Sequence, residues 1–227
     1  MILSGPQLVA AAAAASVPVS RRDAIAAGVA AASSARVGSD RRAVPPSRAA
    51  GFIYENADGQ FLSSVAAANY RFLYRGLSAA QISAGGDGAV VVDDDPYDLL
   101  DPGTYNSKAA ADYFRDLDDE MGARRLGLRP GNSHLATTSA SDASSWGPAA
   151  SIWPLGSDVS FAWFDDDRLF WPVETRERTL VTDASSSLSA ALCIDGCEVM
   201  FRSDGGYLAV PSHLDHQLRQ QLISMTK

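Results

Sequence analysis

The side chain best placed to do chemistry is Arg75, in the run Asn69-Tyr70-Arg71-Phe72-Leu73-Tyr74-Arg75-Gly76-Leu77-Ser78. The run is aromatic and β-prone, which predicts a strand over Tyr70 to Arg75. Gly76 follows, the residue that best tolerates a sharp turn. A guanidinium fixed at a strand end grips a phosphate or carboxylate through two parallel hydrogen bonds. Other chemistries are poorly served. Cys193 and Cys197 are the only cysteines, and His134, His213 and His216 are scattered, so no zinc-ligand spacing exists and no metal is expected. Asp93-Asp94-Asp95 lacks the calcium-loop pattern and reads as a solvated turn. The glycine-rich stretch from Ala84 to Gly88 lacks the spacing and the lysine of a phosphate-binding loop. No Gly-x-Ser-x-Gly elbow presents a serine nucleophile.

Charge narrows the partners. Residues 1–48 hold six arginines against two acids, while the remainder holds 13 bases against 25 acids. An acidic body repels phosphate backbones, which argues against nucleic acid. In Cys193-Ile194-Asp195-Gly196-Cys197 the Asp-Gly pair predicts a two-residue hairpin turn. That turn sets Cys193 diagonal to Cys197, a poor geometry for a disulfide, so two buried free thiols are expected.

The elements that must hold Arg75 begin after a leader. Leu8 to Val17 is an apolar, alanine-dominated run, about half of the ~20 residues that a membrane span needs. Ser20-Arg21-Arg22-Asp23 follows, then a second apolar run from Ala24 to Ala32, then Ser33-Ser34-Ala35, whose small residues suit a signal peptidase. A paired arginine before such a stretch resembles a twin-arginine export signal. Two apolar runs in series also resemble a bipartite plastid leader, and a disordered Ala/Ser/Arg tail is the bland alternative. Arg41 to Ala50, with Pro45-Pro46, reads as a linker. Residues 1–50 are therefore expected to be a targeting leader and linker, and 51–227 a single α+β domain of mostly antiparallel strands with two or three helices.

Within that domain Phe52-Ile53-Tyr54 reads as a strand, and Ala89 to Val92 as another. Ser107 to Met121 is the clearest helix. Ala110, Tyr113, Phe114, Leu117 and Met121 share one face, with Asp112, Asp116 and Asp119 off it. Ser133 to Ser139 is a strand by composition. Val159 to Phe164 alternates as a strand, and Leu169 to Val173 is expected to return beside it as a hairpin. Asp183 to Leu192 reads as a short helix. Glu198 to Phe201 and Tyr207 to Val210 read as strands, and a last helix after Ser212 carries Leu214, Leu218, Leu222 and Met225.

Three of these pieces stand in a suggestive order: Tyr74-Arg75-Gly76, then Thr137-Thr138-Ser139 on a strand, then Glu198 opening a strand. Here the chain resembles the ADP-ribosyltransferase fold of the arginine–serine–glutamate type, through short motifs spread over Phe72 to Val210. The resemblance implies that NAD is the substrate. It implies that Arg75 and Gly76, with Thr138 and Ser139, hold the dinucleotide. It implies that Glu198 is the catalytic carboxylate beside the ribose, meeting the positive charge that builds as the nicotinamide–ribose bond breaks. It further implies that Ser139 orients Glu198. The family's usual Glu or Gln two residues before the catalytic Glu is replaced here by Gly196. The functional expectation is an exported mono-ADP-ribosyltransferase acting on NAD, located in a thylakoid lumen, a periplasm or outside the cell. The rival is a non-catalytic accessory subunit of a thylakoid-lumen or periplasmic complex. Such a subunit would dock a membrane complex without a transmembrane span of its own.

Overall fold

The computed structural model describes residues 43–93, 99–101, 108–165, 169–170, 178–183 and 188–226. Along them run β1 (Ala43–Val44), α1 (Pro46–Asn56), α2 (Gly59–Ala67), β2 (Leu73–Gly76), α3 (Ala79–Gly85), β3 (Ala89–Val92), α4 (Lys108–Ala123), β4 (His134–Thr137), α5 (Ala140–Ala143), β5 (Ala149–Pro154), β6 (Val159–Phe164), β7 (Leu180–Asp183), α6 (Leu188–Cys193), β8 (Glu198–Ser203), β9 (Tyr207–Pro211) and α7 (Asp215–Met225). The strands form one antiparallel sheet in the order β1-β3-β9-β5-β2-β4-β8-β6-β7. The fold is α+β, as expected, with seven α-helices among the described residues in place of two or three.

The extra helices come from short segments in which burial overrides local appearance. Phe52-Ile53-Tyr54 lies inside α1, not in a strand. A proline in its first turn presets a helical φ, and Ala49, Ala50 and Ile53 bury at helical spacing. The expected boundary at residue 50 therefore falls within a packed helix, and the fold takes in Val44, which is buried. The arginine pair and the cleavage-like Ser33-Ser34-Ala35 lie outside the described residues. None of the described helices is long and apolar enough to cross a membrane.

The sheet curls strongly. β8 and β9 are joined only through Asp204–Gly206, yet β4, β2 and β5 lie between them in hydrogen-bonding order. The chain from Ser203 to Tyr207 reaches at most about 14 Å, whereas a flat sheet would separate those strands by about 19 Å. The curl closes that gap, and the rings of Phe201 and Tyr207 meet at 5.6 Å.

Two cores fill the two sides. In the larger, Phe61 of α2 stacks on Phe161 at 5.6 Å and meets Trp153 edge-on at 5.8 Å. The smaller lies under α4, where Phe114, Leu117 and Met121 pack on Leu135, Ala162, Phe164, Phe170 and Met200. The helix expected there is present. Asp116 and Asp119 face solvent, Asp112 pairs with Arg115 at 2.6 Å, and Tyr113 is only half buried. Gly122 lies within the helix and does not cap it, and Ser107 lies outside the described residues. Along β4 and β8, Leu135 and Met200 belong to the α4 core, whereas Ala136 and Val199 belong to the larger one. By the same alternation Thr137 and Glu198 fall on the α4 side.

Other expectations are corrected. Leu169 and Phe170 are not strand, and residues 171–173 lie outside the described ones; β6 pairs with β7 and β8. β5 was not foreseen, because its run Ala149-Ala150-Ser151-Ile152-Trp153-Pro154 does not alternate and carries a proline. Asp195-Gly196 joins a helix to a strand and forms no hairpin, so Cys193 is an exposed thiol at the end of α6 and Cys197 a buried one. In α7, Leu218 and Leu222 are buried but Met225 is exposed.

Candidate functional site

The three motifs recognised in the sequence meet. β2, β4 and β8 are consecutive neighbours in the sheet. Tyr74 pairs with Thr137, and Thr137 pairs with Glu198, so residues far apart in sequence form one row across three strands. Arg75 is the next residue along β2, so by strand alternation its side chain leaves the face of the sheet opposite to that of Thr137 and Glu198. The β2–β4 ladder is a single pair, and the Arg75 guanidinium donates to the Leu135 carbonyl where the two strands part. Its charged carbon also lies 5.9 Å from the centre of the Tyr207 ring. Arg75 is 5% exposed and Glu198 3%. One strand separates theirs, so their backbones are about 10 Å apart.

Glu198 is held by the segment that follows β6. Its Oε2 accepts from the Phe170 amide at 2.7 Å. Arg178, also buried, donates to the Phe170 carbonyl at 2.8 Å and to the Leu169 carbonyl at 2.6 Å. Its guanidinium lies over the Phe164 ring at 3.7 Å and reaches the Tyr113 hydroxyl. Glu198 and Arg178 thus grip the two polar groups of one peptide residue, a charge-assisted arrangement that fixes the carboxylate.

The remaining expected residues fall around this row. Gly76 ends β2, and its need for glycine is steric: a Cβ there would stand 2.5, 2.7 and 2.8 Å from backbone atoms of Trp146, Gly147 and Ala143. The segment that includes α5 therefore lies directly against the strand end beside Arg75. Thr138 ties the turn before Glu198. Its hydroxyl donates to the Ile194 carbonyl and accepts from the Cys197 amide at 3.0 Å. Ser139 does not stand opposite Glu198. It caps α5, accepting from the Asp142 amide at 3.2 Å. The hydroxyl residue in register with Glu198 is Thr137, which is buried and accepts from the Ser139 amide at 3.2 Å. Sequence alone offered three adjacent hydroxyl residues; only the strand register selects among them.

A second polar cluster was not anticipated. Ser151 pairs with Tyr74 across β5 and β2. Its hydroxyl donates to Asp215 Oδ1 at 2.9 Å, at the start of α7. Tyr74 also hydrogen-bonds Asp215. Burial lifts the Asp215 carboxyl from 3.8 to about 6, against the pull of Ser151, Tyr74, Arg219 and His213 toward the anion. Burial, and then the neighbouring carboxylate, raise the Tyr74 phenol above its ordinary value. Arg219 is steered by the Tyr70 carbonyl at 3.1 Å and by the Phe72 ring at 5.3 Å.

No group of three or more His, Cys, Asp or Glu side chains suited to a metal ion occurs among the described residues. The chain matches no family model, no curated protein and no solved structure. Its chemistry is therefore read from its own geometry.

Proposed function

We propose that the Thr137–Glu198 pair, with Arg75 one residue off its row, forms a site that binds NAD and cleaves its nicotinamide–ribose bond, as in the mono-ADP-ribosyltransferases that the chain resembles. One observation carries the reading. Tyr74–Gly76, Thr137 and Glu198 occupy three adjacent strands, with Tyr74, Thr137 and Glu198 in one row, and Thr138 and Ser139 follow the end of β4. Bond cleavage leaves an oxocarbenium-like ribose, and a carboxylate fixed beside it stabilises that charge most strongly where water is sparse. Glu198 supplies the carboxylate, and its bond to the Phe170 amide keeps it oriented. Thr137 takes the orienting role expected of Ser139. The Ser139 amide occupies one lone pair of its hydroxyl, which leaves the hydroxyl proton to be shared with a neighbouring acceptor. Arg75 binds phosphate or ribose oxygens. The protein is proposed to act after export, by way of the leader that carries Arg21-Arg22.

A second reading has its own observation. Arg75 and Glu198 are both buried and both bonded to backbone groups, as structural residues of a non-catalytic exported subunit would be. The same experiment separates the two. NAD binding by calorimetry and nicotinamide release by chromatography are expected for the wild type. Arg75→Lys should weaken binding, because it loses the planar two-point grip. Glu198→Gln should lower turnover by about 100-fold or more with little change in affinity, since its charge acts mainly on the transition state. Wild-type protein that neither binds nor cleaves NAD refutes the enzyme and leaves the subunit.

A further inference from the structure

α7 is fastened along its whole length. At its start, Asp215 accepts from the Ser151 hydroxyl of β5 at 2.9 Å and bonds Tyr74 of β2. In its middle, Arg219 donates through Nε to the Tyr70 carbonyl at 3.1 Å. Past its end, Thr226 shares a hydrogen bond of 2.9 Å with the Tyr70 hydroxyl. The turn that receives the last two bonds is strained. α2 closes as the Tyr70 amide donates to the Val65 carbonyl at 2.8 Å and the Asn69 amide to the Ala66 carbonyl at 3.0 Å. Asn69, at φ +55, takes the left-handed conformation usual after a helix, but Tyr70 repeats it at φ +56. A ring-bearing residue is disfavoured there, so contacts from outside the turn must hold it. α7 supplies them through Arg219 and Thr226.

The hold answers to charge. Asp215 and Arg219 stand one helical turn apart, a spacing at which a carboxylate and a guanidinium attract. Burial lifts the Asp215 carboxyl to about 6. While that group is neutral, Arg219 is left to the Tyr70 carbonyl. An ionised carboxylate in this half-buried place gains by drawing Arg219 to itself or by turning out to water. The first gives up the Tyr70 carbonyl, and the second lifts the start of α7 off Ser151 and Tyr74. The titratable and charged groups that face Asp215 are Tyr74 from β2, Arg219 from α7 itself and His213 from the turn before it, beside the neutral Ser151 of β5.

We infer that α7 is a pH-sensitive strap over β2 and the strained Asn69–Tyr70 turn, closed while Asp215 is protonated and loosened when it ionises. Arg75 follows Tyr74 directly, so the strap bears on the strand of the candidate site. It works whether or not that site cleaves NAD. The hold is complete below the unfolded value near 4 and fades as pH rises through the folded value near 6.

Amide hydrogen exchange of the full chain is followed by NMR at pH 4 and pH 8, corrected for the intrinsic rate at each pH, with and without dilute urea. Local opening shows little urea dependence, whereas global unfolding shows the full slope. Protection of the Leu218 and Leu222 amides should fall about 10-fold from pH 4 to pH 8, with little urea dependence at pH 8. Asp215→Asn, which does not ionise, should remove the fall. Arg219→Lys keeps the charge but loses the Nε donor, and should lower protection already at pH 4. A wild type whose α7 protection does not fall, or falls only with the full urea slope, overturns the strap. A fall that survives in Asp215→Asn belongs to another group, His213 first, and overturns it as well. Unchanged protection in Arg219→Lys at pH 4 overturns the hold on Tyr70.

Discussion

Asp215→Asn should stabilise the protein at slightly alkaline pH and leave it almost unchanged in mild acid. Asp215 is lifted to about 6, chiefly by burial. An acid whose folded value is raised holds its proton more tightly folded than unfolded. Its favourable contribution is complete below the unfolded value near 4 and is lost as pH rises through the folded value near 6. A rise of this size corresponds to at most about 3 kcal/mol between the two limits. Asp215 is only partly buried, and solvent reduces the effect to about 1–2 kcal/mol. Asparagine keeps the outline and an acceptor for the Ser151 hydroxyl but does not ionise. The stability of the variant minus that of the wild type should therefore be near zero at pH 4 and grow by about 1–2 kcal/mol by pH 8. Urea unfolding of both proteins at pH 4, 6 and 8 measures it. A difference that is flat with pH, or that shrinks as pH rises, refutes the buried-carboxylate reasoning.

Leu117→Ala should cost about 2–5 kcal/mol in chemical unfolding, because Leu117 is buried in the α4 core. Gly76→Ala should destabilise by about 1–3 kcal/mol, since the added methyl meets backbone of the 143–147 segment that has no side chain to swing aside; an unchanged unfolding midpoint would show that this segment gives way. Thr137→Val keeps volume and deletes the hydroxyl in register with Glu198. It should lower nicotinamide release more than Ser139→Ala does, and the reverse ranking in a release assay would return the orienting role to Ser139.

The sequence carried the α+β class, though not the number of its helices. Arg75 and Glu198 were legible because a guanidinium or carboxylate at the end of an apolar strand is conspicuous. Thr137 was hidden among three adjacent hydroxyl residues, since register depends on a partner strand some sixty residues away. Arg178 lies in Glu174-Thr175-Arg176-Glu177-Arg178, where nothing local marks it as an arginine that packs over Phe164. The helix over residues 108–123 was plain because its apolar spacing is local. α1 was misread because Phe52-Ile53-Tyr54 is β-prone by type, and only packing of Ala49, Ala50 and Ile53 decides for helix. The Asp215 cluster joins side chains that are each ordinary, and it exists only because β5 lies between β2 and β9.

The two-residue strand β1 has a consequence out of proportion to its length. β3 is Ala-Val-Val-Val, wholly buried, and pairs with β9 on one side and β1 on the other. The fit is close: a Cβ on Gly88 would come within 2.5 Å of the Val44 carbonyl oxygen. Without Ala43–Val44 that apolar ribbon would present a bare row of amide and carbonyl groups, a template on which a second chain could assemble. Proteolytic trimming that stops before Ala43 leaves the shield intact. Trimming that passes Val44 would lay the β3 edge bare.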